Sequence, residues 1–324
     1  MIVDLTDTTA AAIAAALVQA RHSAGVPAVG MVMTLVIVTD ERDHYDALRA
    51  ALDAAREHPS RILVTILRPG KMKERLDAEV RFLGDSGPGE TVVMRMHGEL
   101  ADHAESVLVP LLLPDAPVVV WWPGHCPAAP AKDPVGALAQ RRITDAAATG
   151  DPTGELVRRS HGYQPGDTDL AWTRITQWRS LLAATLDQPF GPITGGSVSC
   201  EVGSPSAELL ALWLETRLGT SIDRVVTDGP GITGVTLCSE AGDIAVARPD
   251  GRIAQLSRPG QPERQVSLVQ RETAETIAEE MRRLDPDEVY GEVVGMVTGV
   301  TEPAAALPGQ PDVASEVSGA ADAE

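Results

Sequence analysis

The sequence predicts an α/β protein in two parts, an N-terminal, mostly parallel α/β domain followed by a smaller mixed α+β domain. Three observations carry this. Strand-like and helix-like segments alternate through residues 1–125, as βαβ units do. Val118-Val119-Val120-Trp121-Trp122 is continuously apolar, as a strand covered on both faces allows. Beyond residue 190, short strands are joined by Gly-containing turns, which is hairpin chemistry. The 324 residues are 44 % hydrophobic and 23 % charged, an ordinary globular composition.

Taken in order, Thr6 or Asp7 is expected to cap a helix through Ile13, Leu17 and Ala20 that stops near Gly25-Val26-Pro27. A buried strand follows at Val29–Val38. A helix is read from His44 to Glu57, with Tyr45, Leu48, Leu52 and Ala55 on one face at three- and four-residue spacing. Then come a strand at Arg61–Leu67, further elements at Glu74–Leu83 and Thr91–Met96, a helix near Ala101–Val107, and the strand Pro117–Trp122. From Cys126 to Asp167 the composition shifts to Pro, Ala, Gly and Asp, which reads as a connector (126–167) with a short helix around Leu138–Ala148.

The second domain (168–297) opens on a helix from Asp169 to Leu186 with Asp167 or Thr168 as cap. A strand at Ile193–Glu201 and a helix at Ala207–Leu218 follow. Four short strands are read at Arg224–Thr227, Gly234–Cys238, Asp243–Arg248 and Arg252–Leu256. The closing helix spans Gln270–Leu284, with Ile277, Met281 and Leu284 facing inward and Arg282-Arg283 opposing the helix dipole. From Thr298 the chain carries acids and no base among Ala, Pro, Gly and Ser, the composition of a disordered tail (298–324).

Charge narrows the partners. With 27 basic and 46 acidic residues the net charge is −19, and such a surface repels a phosphate backbone, so nucleic acid is not expected. No apolar run exceeds strand length, so no membrane partner is expected either. Three widely spaced cysteines, Cys126, Cys200 and Cys238, fit a reducing, cytoplasmic compartment.

Catalytic motifs are sparse. Gly229-Pro230-Gly231-Ile232-Thr233-Gly234 matches GxGxxG, yet a dinucleotide site needs a helix to follow, and Val235-Thr236-Leu237-Cys238 is strand-like, so a hairpin is expected. The seven His lack zinc spacing, and no Walker A loop or GxSxG elbow occurs. No catalytic, cofactor or metal residue is therefore assigned. In His58-Pro59-Ser60-Arg61, Pro59 ends the helix, and Arg61 is read as a structural ion pair in preference to a ligand contact. Trp121 and Trp122 point to opposite faces of their strand, so at least one lines the sheet edge or packs on the second domain. Ala171, Ile175, Trp178, Leu182 and Leu186 share one helix face, with Trp172, Arg174 and Arg179 near its margin. Trp178 reads as core, whereas Trp172 and Arg179 read as partner contacts, because Trp and Arg dominate hot spots.

Five segments together, His58-Pro59-Ser60-Arg61, Leu113-Pro114-Asp115 with Pro117–Pro123, Arg141-Arg142-Ile143-Thr144-Asp145-Ala146, Asp167–Leu182, and Arg282-Arg283-Leu284-Asp285, resemble the OpcA family of glucose-6-phosphate dehydrogenase assembly proteins. The likeness spans residues 1 to about 297. It implies a cytoplasmic, non-catalytic partner without a cofactor that binds glucose-6-phosphate dehydrogenase and promotes its active oligomer in the oxidative pentose phosphate pathway. His58, Ser60, Arg61, Trp121, Trp122, Arg141, Arg142, Asp145, Asp169, Trp172, Arg174, Trp178 and Arg179 carry over as family-motif or contact positions. The rival reading is an α/β enzyme or sensor that binds a sugar phosphate or nucleotide at the sheet edge near Trp121, Trp122 and Arg61.

Overall fold

A computed structural model describes residues 2–24, 30–82, 89–187 and 191–297. The expected Gly25-Val26-Pro27 helix end and the tail from Thr298 lie outside the described residues. The first sheet has eight strands: β1 (Ile2–Leu5), β2 (Met33–Thr39), β3 (Ser60–Arg68), β4 (Arg75–Phe82), β5 (Glu90–His97), β6 (Val118–Trp122), β7 (Arg141–Thr144) and β8 (Asp167–Asp169). Their order is β1-β4-β5-β3-β2-β6-β7-β8, and all pair in parallel except β4, which runs antiparallel to both neighbours. The second sheet contains β9 (Ile193–Cys200), β10 (Ile222–Val226), β11 (Ile232–Ser239), β12 (Ile244–Ala247), β13 (Ile253–Arg258) and β14 (Gln261–Ser267). It is ordered β10-β9-β11-β12-β13-β14, with β9 and β10 parallel and the remaining pairs antiparallel. The α/β class holds, with a mostly parallel sheet followed by a mixed one.

The helices are α1 (Ala10–Ala24), α2 (His44–Ala54), α3 (Ala104–Leu108), α4 (Pro152–Gly162), α5 (Leu170–Arg174), α6 (Thr176–Leu186), α7 (Pro205–Leu218), α8 (Thr273–Arg282) and α9 (Glu288–Val294). They bury three apolar layers. Ile13 and Leu17 of α1 and Val107 and Leu108 of α3 close one face of the first sheet over Val36, Val120 and Trp122. On the other face, Ala47, Leu48 and Ala51 of α2 join Ile277 and Met281 of α8 over Leu35, Val119 and Trp121. The third layer sits between α5, α6, α7, α9 and one face of the second sheet.

Several expectations need correction. Residues 126–167 are not a connector, because Arg141–Thr144 forms β7 where a helix was read around Leu138–Ala148, and β7 pairs with β6 and β8 inside the first sheet. The first sheet therefore runs to Asp169, past the boundary read at residue 125. The closing helix α8, late in sequence, also returns to that sheet. A single helix over Asp169–Leu186 is replaced by β8, α5 and α6, with Asp169 capping α5 through its side chain and Ile175 breaking the run. Tyr45 is 65 % exposed, and the buried face of α2 is Ala47, Leu48, Ala51 and Ala54. The hydroxyl of Thr9, not Thr6 or Asp7, accepts the Ala12 N–H at the start of α1 (3.2 Å). Strands β1 and β14 and helices α4 and α9 had no counterpart in the sequence reading. The Gly229–Gly234 run opens into strand β11 and not into a helix, so the dinucleotide context is missing, but the expected hairpin is corrected: β9 lies between β10 and β11, which do not pair.

Close packing under Trp122 sets a test. A Cβ on Gly136 would strike the backbone oxygen of Pro130, which has no freedom to move aside, and would crowd the Trp122 ring at 3.1 Å. Gly136→Ala is expected to cost about 1–3 kcal/mol of stability in thermal or urea unfolding. Gly150→Ala, into open space, should leave it within about 0.5 kcal/mol.

Candidate functional site

Three of the five family segments, Arg141–Ala146, Asp167–Leu182 and Arg282–Asp285, meet along β7 and β8, where the first sheet contacts α4, α5 and α8. Asp169, fully buried, is the hub. Its carboxylate accepts the Thr144 hydroxyl (2.7 Å), the Ala146 N–H (3.0 Å), the Ala171 N–H (2.9 Å) and the Arg159 guanidinium. Arg174 grips Asp145 with two nitrogens (2.7 and 2.6 Å). Arg142 pairs with Asp167 and donates to the carbonyls of Ala139 (2.9 Å) and Pro165 (2.6 Å). Arg141 reaches Glu280 of α8 (Nε 2.9 Å), which also accepts the Thr173 hydroxyl (2.6 Å). Burial opposes the charges on Arg159 and Arg174, but Asp169 and Asp145 overcome it and raise both pKa values above the ordinary arginine value.

Arg61 takes the structural role that was read for it: Nε and Nη2 donate to Glu90 (2.8 and 2.5 Å) and Nη1 to the Leu111 carbonyl (2.7 Å). Ser60 donates to the His58 carbonyl (3.0 Å), tying off the half-buried His58 turn. Trp121 and Trp122, each 2 % exposed, go to opposite faces of the first sheet. Trp122 borders a cavity of about 350 Å³ that also meets Asp102, Glu105, His125, Cys126 and Asp133. Arg61 pairs with Thr34, three residues before the Ile37 that faces Trp121, so it sits near the opposite strand end. The sheet-edge anion site combining Trp121, Trp122 and Arg61 is thus overturned: they do not converge, and the cavity wall is acidic.

Trp172 is 1 % exposed, so its reading as a surface contact is corrected too. Its indole N–H donates to Asp287 (2.8 Å), while the Arg179 guanidinium stacks on its ring at 3.7 Å. Arg179 is half-buried and spent on that stack. Trp178 is core, as read.

Sequence reasoning missed Arg159, Asp167, Glu280 and Asp287 as partners in this network, and Arg248 altogether. Strand alternation held a signal for the last: Ile244 and Val246 face the core, and Arg248 continues that parity into the interior at 4 % exposure. Arg248, Arg174 and Arg271 line a second cavity of about 340 Å³ beside the start of α7. Burial pushes the Cys126 thiol up and the Cys200 thiol to about 11, which keeps both protonated at neutral pH.

Two outcomes follow from these contacts. Asp169→Asn leaves buried Arg159 with only the longer Glu155 contact (3.6 Å) and is expected to cost about 3–5 kcal/mol in denaturant unfolding, and Trp172→Ala a similar amount by emptying the core. Burial raises the Asp287 pKa, but the Tyr290 N–H, the Trp172 indole and Arg179 outweigh it and hold the carboxyl below the ordinary aspartate range. Asp287 therefore stabilises above about pH 3.9, and that contribution is lost as pH falls through the depressed value. Asp287→Asn should cost about 1–2 kcal/mol at pH 7, with the difference from the parent shrinking below that range in pH-dependent melts.

Among the described residues no helix is long and apolar enough to cross a membrane. Among solved structures, the fold is similar to a 3-ketoreductase from Actinomadura kijaniata with NADP and TDP-benzene, at 12 % identity and TM-score 0.46 over 82 % of this chain and 95 % of that one. It is similar also to an oxidoreductase from Sinorhizobium meliloti, at 10 % identity and TM-score 0.42 over 81 % and 86 %. No curated protein matches. Two family models match in tandem: the glucose-6-phosphate dehydrogenase subunit N-terminal domain over residues 51–161 and its C-terminal domain over 165–294. With both domains present in order, and with the Arg141–Ala146 and Asp167–Leu182 segments building the network within them, the chain belongs to the OpcA family of glucose-6-phosphate dehydrogenase subunits.

Proposed function

We propose that this chain is a non-catalytic assembly subunit that binds glucose-6-phosphate dehydrogenase in the cytoplasm and shifts it toward its active oligomer, in the oxidative pentose phosphate pathway. The observation that carries the reading is the tandem family match over residues 51–294. The buried charges support it, because each candidate Arg and Asp of the β7–β8 network is engaged by another side chain of the same protein.

The docking surface is the open face of the second sheet. Strand register places Asp223, Ser197, Thr236, Ala245 and Ser257 in one row across it, and Val225, Ser199, Gly234, Ala247, Gln255 and Gln265 in the next. None of these is buried, whereas Val198, Val235 and Val246 face the opposite way into the core. In a chain of net charge −19 these two rows carry one acid, Asp223, among small or neutral side chains, which suits close approach of another protein surface. The activating mechanism is preferential binding, for which a tenfold gain in a scarce active state needs about 1.4 kcal/mol.

Mixing the purified chain with its own dehydrogenase, and following elution and rate together, tests the function. Co-elution with a raised rate is expected; separate elution with an unchanged rate discards it. Thr236→Arg and Ala247→Arg should weaken the complex roughly tenfold or more while leaving the melting of the isolated chain unchanged. Unaltered affinity in both removes this face from the contact.

A further inference from the structure

The 340 Å³ cavity lies where the first turn of α7 meets the turn that opens β11. Two of its three guanidinium groups are already neutralised, Arg174 by Asp145 and Arg271 by Glu279. Arg248 is not: it makes no ion pair with any described carboxylate. Its Nη1 and Nη2 donate to the carbonyls of Leu268 (2.9 Å) and Ile232 (2.7 Å), its Nε has no acceptor, and the Trp178 ring lies 5.0 Å away. A buried cation without a counter-charge is costly, and elsewhere this acidic chain pairs its buried arginines. The 14-residue α7 adds the positive end of its dipole, its N-cap Ser204 and first residues Pro205 and Ser206 lying on the same cavity.

We propose that this cavity binds a small phosphate monoester, its phosphoryl group held between Arg248 and the start of α7, with Arg174 and Arg271 at the margin. The volume falls in the range of small-ligand pockets. Ile175, Trp178 and Ile232 offer the ligand an apolar wall, and the exposed Glu201 carboxylate at the rim accepts hydroxyl protons of a sugar. The ligand meets residues of this chain alone, so the site stands whether or not the dehydrogenase binds.

Calorimetric titration of the full chain with inorganic phosphate and with glucose 6-phosphate, at constant ionic strength in chloride, tests it. Saturable binding of at least one is expected. Arg248→Gln should weaken it roughly tenfold or more. Val202→Asp, at a rim position that is 74 % exposed, should weaken it roughly threefold without disturbing the core, and it decides the matter where Arg248→Gln does not fold. No saturable binding of either compound up to about 10 mM, or parental affinity in the Val202→Asp chain, overturns the site. Co-elution with the dehydrogenase is scored separately, so loss of one result leaves the other standing.

Discussion

Asp169 sits with no exposed surface at the end of β8, and a carboxylate removed from water must be met by donors wherever the chain can bring them. Meeting it orders much of the molecule. The Thr144 hydroxyl at the end of β7, the Ala146 amide after it, the Ala171 amide of α5 and the Arg159 guanidinium of α4 all turn toward one side chain. The neighbouring pairs extend this. Arg142 closes on Asp167, Arg174 on Asp145, and Arg141 on Glu280, which draws α8 back onto the first sheet after the whole second sheet has been built. The two halves are therefore joined by charges as well as by the apolar contact of Ile277 and Met281 with Trp121.

That wiring explains why residues resembling an interaction surface are interior. A helix rich in Trp and Arg reads equally as a hot spot or as a core element with its cations engaged. Here Trp172 has Asp287 on its indole N–H and Arg179 on its ring, so neither faces outward free. The exposed relief of the second half lies instead on the far face of its sheet, where Ser, Thr, Gly and Ala leave a flat surface of low charge. Alternation along each strand produces this division, since Val198, Val235 and Val246 face the apolar core and their sequence neighbours face away.

Arg248 is the exception that gives the interior a chemical asymmetry. The other buried arginines named here meet a carboxylate, or in the case of Arg179 a tryptophan face backed by Asp287. Arg248 meets only carbonyl oxygens and a ring at its margin, and burial draws its pKa below the ordinary arginine value despite Asp250 nearby. Its place beside the start of α7 concentrates two sources of positive potential on one cavity.

By itself the sequence determined what is periodic or local. Continuous apolar runs placed β3, β5 and β6 in a covered parallel sheet. Spacing of Ile277 and Met281 marked the inward face of α8, and Gly-containing turns marked the hairpins of the second sheet. The five motif segments, in order, also sufficed for the family. Short or polar elements escaped: β8 is three residues of Asp-Thr-Asp, and β14 is exposed along almost its whole length, so neither carries an apolar pattern. Only the tertiary structure decided which charge meets which. Arg141 and Glu280 are 139 residues apart, and no local signal encodes a pairing whose energy exists only once both groups have left water together.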